Sequence, residues 1–221
     1  DITITHQTDC TPNGSAMVTD ILVDGVAIGG TAGYNFQWFD DNGVSIDGPG
    51  AAATVAVPLA AANYRVLTTN IASNCSSLIT PFTVNDISVD PVVTAAAITN
   101  NTNCPGATPN GVITVNVDGA APAPGAFALA WFSGNDTSTP LAVGTIAGMN
   151  NETVQDLPAG NYTVQVTDLA SPGNTCTAIA TFTVTDDPAT IAIDVTDITI
   201  THQTDCTPNG SAMVTDILVD G

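Results

Sequence analysis

The chain has almost no basic residues. Its 221 residues include one arginine, Arg65, and no lysine, against 21 acidic side chains, and the formal net charge is −20. Nucleic acid is excluded as a partner, because binding to it depends on cations that release phosphate counterions. An anionic membrane surface is excluded for the same reason. Without lysine there is also no Lys–Asn isopeptide bond, so any covalent link between domains must use cysteine.

Long hydrophobic runs and enzyme-type motifs are missing too. No apolar run approaches the roughly 20 residues of a spanning helix, so we expect no membrane insertion by this segment. Histidine occurs only as His6 and its copy His202, with no nucleophile and acid in a recognisable arrangement. No glycine-rich phosphate loop opens a helix. We therefore predict that the chain is not an enzyme and binds no organic cofactor.

The same 25 residues, DITITHQTDCTPNGSAMVTDILVDG, occur at 1–25 and again at 197–221. Such identity indicates a window of a longer polypeptide built from near-identical tandem units. Each unit is itself double, because the second half repeats the landmarks of the first. The corresponding residues are Cys10 and Cys104, Trp38 and Trp131, Tyr64 and Tyr162, and Cys75 and Cys176. We predict a domain at 1–90, a second at 91–187, and the start of a further copy at 188–221, with neighbouring repeats of the same chain as the main partners.

Short runs rich in Thr, Val and Ile, separated by turn residues, predict an all-β protein. We expect strands near 2–7, 15–23, 34–40, 53–57, 63–69 and 77–84, then near 92–99, 112–117, 127–132, 141–146, 153–156, 161–167 and 177–185. Asn13-Gly14, Asn42-Gly43 and Asn110-Gly111 are hairpin-turn signals. This spacing is typical of immunoglobulin-like antiparallel sandwiches in a linear array.

Four aromatic residues sharpen this prediction. Trp38 and Trp131 fall on the third strand of each domain, where an immunoglobulin-like sandwich has its core tryptophan. Tyr64 and Tyr162 each follow a Leu-x-x-Ala/Gly-Asn turn and are typical of a tyrosine corner, whose hydroxyl bonds to the preceding loop. We expect all four in cores, although exposed aromatics would instead suit sugar stacking.

The five cysteines are Cys10, Cys75, Cys104, Cys176 and Cys206, the last being the copy of Cys10. The paired pattern indicates disulfides and an oxidising compartment, and no Cys-x-x-Cys metal spacing occurs. In an immunoglobulin-like domain the two cysteines lie at opposite poles. A run such as 92–104 spans about 43 Å when extended, whereas bridged Cα atoms lie within ~7 Å.

We therefore place Cys10–Cys176, across domains, ahead of Cys10–Cys75 and Cys104–Cys176 within domains, and free thiols third. On the same reasoning Cys104 meets the counterpart of Cys75 one unit further on.

Aspartates provide two alternative candidate calcium sites. Asp40, Asp41 and Asp47, or Asp186 and Asp187 at the domain junction, offer oxygens of the kind that Ca²⁺ prefers, although the spacing does not match the helix–loop–helix ligand pattern. Turns also select aspartate for conformational reasons alone, and both readings stay open.

Three stretches resemble the SprB-type repeat of gliding and surface adhesins from Bacteroidetes. They are GSAMV at 14–18 after Cys10, FQW at 36–38, and AGNYTVQVTD at 159–168 before Cys176. The resemblance implies a very long secreted protein, exported across a Gram-negative envelope and displayed as an extracellular filament. We expect a structural stalk of such an adhesin. The alternatives are a repeated carbohydrate- or ligand-binding module and a filament subunit assembled by strand donation between chains.

If calcium occupies either aspartate set, chelation with EDTA should lower the Tm, because unneutralised carboxylates repel each other, and added Ca²⁺ should restore it. Thermal denaturation followed by circular dichroism measures this. An unchanged Tm would assign the aspartates to turns.

Overall fold

The computed structural model describes residues 1–169 and 175–219. Apart from a single 3₁₀ turn at Val195–Asp197, these residues form strands and loops, and none of them belongs to a helix long and apolar enough to cross a membrane. The predicted all-β class is confirmed. The chain divides into two compact units, one of Asp1–Val92, Ala123–Ala128 and Val166–Ala178, the other of Val93–Pro122, Leu129–Gln165 and Ile179–Gly221.

The first repeat contains eight strands. They are β1 (Ile2–Thr5), β2 (Ser15–Val18), β3 (Leu22–Val23), β4 (Val26–Ala27), β5 (Tyr34–Asp40), β6 (Ser45–Gly50), β7 (Ala62–Asn70) and β8 (Thr80–Val84). β1 pairs with β2, β3 pairs with β4, and the other four form a sheet in the order β6-β5-β7-β8, all antiparallel.

The core of the first repeat forms between β2 and this four-stranded sheet. The buried Ala16 and Val18 alternate with the half-buried Ser15 and the exposed Met17 on β2, as a strand with one buried face requires. They belong to the same cluster as Phe36 and Trp38 of β5. Trp38 meets Phe82 of β8 edge to face, with ring centroids 5.7 Å apart.

The described residues of the second repeat, all but 170–174, form seven strands. They are β9 (Val93–Thr99), β10 (Gly111–Val117), β11 (Phe127–Ser133), β12 (Thr145–Ala147), β13 (Thr153–Leu157), β14 (Gly160–Asp168) and β15 (Thr177–Val184). Two sheets form, in the orders β12-β13-β10-β9 and β11-β14-β15. With the strands lettered A to G along the chain, these orders are D-E-B-A and C-F-G, the strand order of a constant-type immunoglobulin sandwich. The predicted immunoglobulin-like fold is confirmed by this topology.

The repeated sequence near the C-terminus forms the same hairpin again. β16 (Ile191–Ala192) pairs with β19 (Leu218–Val219), and β17 (Ile198–Thr201) pairs with β18 (Ser211–Val214). Ile198 opposes Val214 just as Ile2 opposes Val18. The surroundings differ, since Val214 is 44% exposed and Val18 only 5%. The hairpin therefore forms from local sequence, whereas its burial needs the strands that follow it in the first repeat.

Two predicted strands of the first repeat differ from the structure. The stretch 15–23 is interrupted because the Asp20 carboxylate accepts the backbone N–H groups of Ile21, Gly29 and Gly30, at 2.8, 3.0 and 3.0 Å, and closes a loop there. These hydrogen bonds lower the pKa of Asp20. The stretch 53–57 makes only an isolated bridge from Thr54 to Met17. Pro58 follows it and has no N–H with which to extend a ladder.

The interpretation of two Asn-Gly pairs as hairpin turns is wrong. Only Gly43 of the three glycines has a positive φ, at 79°. Gly14 and Gly111 are instead places of close backbone approach. A Cβ on Gly111 would lie 2.5 Å from the carbonyl oxygen of Leu157, and one on Gly14 would lie 2.8 Å from that of Leu59. Glycine is required at both positions because no larger residue fits.

Gly111→Ala should therefore lower the free energy of unfolding by about 1–3 kcal/mol, the usual cost of overpacking a filled site. Gly50→Ala is the matched control, because Gly50 also lies on a strand and has no atom within 4 Å of a built Cβ. Urea unfolding of both variants measures the difference. Equal stabilities would contradict the close approach.

Candidate functional site

A disulfide joins the first sequence repeat to the second. Cys10 and Cys176 are bonded with an S–S distance of 1.97 Å and a Cα–Cα distance of 4.9 Å, across 166 residues of sequence. This is the pairing of cysteines that the sequence analysis placed first, and both cysteines lie in the first compact unit, which includes Val166–Ala178. The alternatives Cys10–Cys75 and Cys104–Cys176 are not formed, because Cys75 and Cys104 are free and exposed.

Asp90 lies next to this disulfide, with Oδ1 3.6 Å from Sγ of Cys10. Within 1–169 and 175–219, Cys10, Asp90 and Cys176 form the single group of three side chains close enough to share a metal ion. Metals bind cysteine as the thiolate, and both sulfurs here are committed to the S–S bond. The group is therefore a covalent link rather than a metal centre.

The segment that carries Cys10, here called the Cys10 turn (residues 8–13), is held by one asparagine. Asn13 Oδ1 accepts the backbone N–H of Thr8 at 2.9 Å, and Asn13 Nδ2 donates to Thr8 Oγ1 at 2.8 Å. The preceding residue, Gln7, donates to the carbonyl of Asp9 and accepts from the N–H of Ala61. Cys10 is thus presented on a loop whose ends are fixed by hydrogen bonds.

The second repeat builds an equivalent Cys104 turn (residues 102–110). Asn110 accepts the backbone N–H of Thr102 at 2.8 Å and donates to its hydroxyl at 2.8 Å. The residue before each turn makes the same parallel bridge, Gln7 to Asp86 and Asn101 to Asp186. Cys104 therefore occupies in the second repeat the position of Cys10 in the first.

A third version, the Cys206 turn (residues 204–209), has the same pair of hydrogen bonds between Asn209 and Thr204, both at 2.9 Å. The sequence analysis noticed the asparagines but assigned them to hairpins. The recurring threonine before each cysteine was the signal that could have identified this motif.

Cys75 and Cys176 are equivalent in the same way. The backbone N–H of Asn70, at the end of β7, donates to the carbonyl of Cys75 at 2.8 Å. The backbone N–H of Asp168, at the end of β14, donates to the carbonyl of Cys176 at 2.9 Å. Each repeat thus has one turn position and one strand-end position for cysteine, and the observed disulfide joins a turn position to a strand-end position of the following repeat.

The four aromatic residues singled out from the sequence lie in the interior. Trp38 and Trp131 are 1% and 3% exposed, and Tyr64 and Tyr162 are 8% and 3% exposed. The tyrosine hydroxyls donate to the carbonyls of Ala60 and Pro158, at 3.0 and 2.8 Å, which is the geometry of a tyrosine corner. Burial raises the pKa of both tyrosines. None of the four rings offers a face for sugar stacking.

The candidate calcium ligands are engaged in local contacts. Asp40 accepts the N–H of Val44, and Asp47 accepts those of Gly48 and Ala56. Asp41 forms an ion pair with Arg65 at 3.2 Å.

At the junction, Asp186 accepts from the side chain of Asn101 at 2.8 Å, and Asp187 donates its backbone N–H to the carbonyl of Asn101 at 2.7 Å. Calcium binding at these carboxylates stays a prediction. His6, the one histidine of the first repeat, accepts the N–H of Asn85 through Nδ1 at 3.1 Å.

No protein-family profile and no curated protein matches the chain. Among solved structures, the chain is similar to the three N-terminal domains of the bacteriophage RB49 Highly Immunogenic Outer Capsid protein (Hoc). The identity is 14%, the TM-score is 0.41, and the match covers 100% of this chain and 69% of that one. It is also similar to human CDH23 EC21-23, with 15% identity, a TM-score of 0.27, and coverage of 98% and 76%. These values are too low to carry an argument about function, and the fold assignment rests on the strand order.

Loss of the Cys10–Cys176 bond should lower the free energy of unfolding by about 2–5 kcal/mol, because the bond restricts the unfolded chain over a long loop. Cys10→Ser and Cys176→Ser should show the same loss in urea unfolding. Cys206→Ser serves as the control, because Cys206 forms no disulfide, and should leave the free energy of unfolding unchanged. A Cys10–Cys75 peptide in a non-reducing map of Asp-specific fragments would contradict the observed pairing.

Proposed function

We propose that this chain is a segment of the structural stalk of a very long secreted surface adhesin, where it transmits tension and holds adhesive regions away from the cell. The observation that supports this most directly is the Cys10–Cys176 disulfide. It joins Cys10 of the first sequence repeat to Cys176 of the second by a covalent bond within the first compact unit.

The bond changes the route by which force crosses the protein. Tension applied at the two ends follows the shortest covalent path, from the N-terminus to Cys10, through the S–S bond, and from Cys176 onward. The sheets between these two residues then lie outside the stretched path. Most of both sandwiches can therefore stay folded under a force that would open an unbridged domain.

An extracellular location fits the chemistry of the chain. Disulfides persist in oxidising compartments, and a surface with net charge −20 repels its neighbours and stays soluble along an extended array. The resemblance to SprB-type repeats supports display on a Gram-negative, Bacteroidetes-type surface.

A second candidate function is a filament subunit that assembles by strand donation between chains. The verbatim repeat at 1–25 and 197–221 tells against it, because one continuous chain of tandem units explains the copy. The third reading, a carbohydrate-binding module, is disfavoured by the buried aromatic rings, and binding of the fragment to a glycan array would reinstate it.

Single-molecule force spectroscopy tests the stalk function. The oxidised chain, pulled from its ends, should unfold with a contour length shorter by about 55–60 nm than the reduced chain, at roughly 3.3–3.6 Å for each residue enclosed by the disulfide. Cys10→Ser should behave like the reduced chain under oxidising conditions, and Cys206→Ser like the unmodified protein. Equal contour lengths for oxidised and reduced protein would remove the mechanical role.

A further inference from the structure

We propose that Cys104 and Cys75 form a second disulfide, which joins the Cys104 turn of one molecule or unit to the Cys75 position of another copy of the first repeat. The bond has the same design as Cys10–Cys176 and extends the covalent linkage beyond a single pair of repeats. Its chemistry depends only on the two thiols, so it can be tested independently of the stalk function.

The Cys104 turn is equivalent to the Cys10 turn. Asn110 holds the Cys104 turn with the same two hydrogen bonds, to Thr102, that Asn13 makes to Thr8 in the Cys10 turn. Cys10, on its hydrogen-bonded turn, forms a disulfide with Cys176 of the next repeat. Cys104 lies on an equivalent turn, yet it is free and exposed.

Cys75 and Cys176 occupy equivalent strand-end positions. The carbonyls of Cys75 and Cys176 accept a backbone N–H from the last residue of matching strands, β7 and β14. Cys176 is bonded, whereas Cys75 is free and exposed. Two turn positions, Cys104 and Cys206, and one strand-end position, Cys75, are therefore free. Cys206 is the copy of Cys10, so Cys104 and Cys75 are the turn and strand-end cysteines for which the unit has no observed bond.

The repeated sequence identifies the partner. After the second repeat, residues 197–219 rebuild the opening hairpin of the first repeat in the same register, with the Cys206 turn included. The sequence that follows a second repeat is thus that of a first repeat. A first repeat carries its strand-end cysteine at position 75, so the partner of Cys104 is a Cys75 thiol from another copy of this sequence.

Cys104 lies in a groove lined by Asn103, Pro109, Pro158, Asp186 and Pro188. The Asp186 carboxylate in this groove is the counterpart of Asp86, because the parallel bridges join Asn101 to Asp186 and Gln7 to Asp86. Cys104 is exposed, so its thiol is open to a second cysteine.

Formation of the bond needs an external oxidant, a small-molecule disulfide such as oxidised glutathione. Cys104 loses its proton and attacks one sulfur of that disulfide, and one glutathione thiolate leaves. Cys75, deprotonated in turn, attacks the resulting mixed disulfide and releases the second thiolate. Two protein thiols are oxidised, one small disulfide is reduced, and no other reactant is required.

Such a bond would give an array two covalent paths instead of one. One path runs through Cys10–Cys176 bonds joined by the 30 residues from Cys176 to Cys206. The other runs through Cys75–Cys104 bonds joined by the 29 residues from Cys75 to Cys104. A single backbone break in either connecting segment would leave the array in one piece.

Two full-length double variants test the pairing. Cys104→Ser/Cys206→Ser keeps only Cys75 as a free thiol, and Cys75→Ser/Cys206→Ser keeps only Cys104. Equal amounts are mixed in a glutathione redox buffer, and the cross-linked peptides are counted by mass spectrometry after non-reducing Asp-specific cleavage. Random oxidation gives about as many Cys75–Cys104 links as the two same-residue links together. Specific docking should raise the ratio of Cys75–Cys104 links to same-residue links by roughly tenfold over random oxidation, equivalent to about 1.4 kcal/mol.

A second arm distinguishes a partner in another molecule from one in the same polypeptide. Residues 26–196 are appended after Gly221, which completes a second unit, and the oxidised product is mapped at high dilution. A link from Cys104 to the added copy of Cys75 within one molecule supports the bond along the chain, and a mixed link in the first arm supports it between molecules. Statistical pairing in the first arm together with a free Cys104 thiol in the second would overturn the proposal. Neither outcome depends on the Cys10–Cys176 force measurement.

Discussion

Two hydrogen bonds between an asparagine side chain and a threonine hold each cysteine turn, and the rest of the organisation depends on them. A cysteine on an unconstrained loop would sample many positions, and its disulfide would require the loop to be ordered at the moment of bonding. Asn13 lowers that cost for Cys10, because its hydrogen bonds to Thr8 fix both ends of a short segment. The same bonds recur at Asn110 and Asn209, so the turn is a property of the local sequence and not of one domain.

The hairpin that occurs twice separates local from long-range determinants of this fold. β1–β2 and β17–β18 share their sequence and their register, so pairing of the two strands needs nothing beyond the hairpin itself. Burial of the hairpin, unlike its pairing, depends on other strands of the domain. Val18 is covered where β5 and β8 are present, whereas Val214 remains exposed. Most of the stability of a sandwich comes from that covering, because the hydrophobic contribution scales with the area removed from water.

Much of the fold could be predicted from the sequence because its signals are local. Period-two alternation in β10 and the Leu-x-x-Gly-Asn-Tyr turn before β14 each specify their own structure. The disulfide was placed correctly from an argument about length, since opposite poles of one domain are too far apart to bridge. The errors at Gly14 and Gly111 have the opposite origin. Glycine is needed at these two positions because the carbonyls of Leu59 and Leu157, more than forty residues away in sequence, approach closely. The residues next to each glycine in the sequence do not indicate this contact.

Arg65 lies in the middle of β7, opposite Phe39 on one side and Pro81 on the other, and its guanidinium is tied to Asp41. It is also the single arginine in the sequence, which has no lysine. Digestive enzymes that cut only after lysine or arginine thus find one susceptible bond, and that bond is shielded by strand pairing on both sides. Should they cleave it, the two fragments would stay attached, because the break falls inside the ring closed by Cys10 and Cys176. The chain is in this way poorly digestible by proteases that cut only after lysine or arginine.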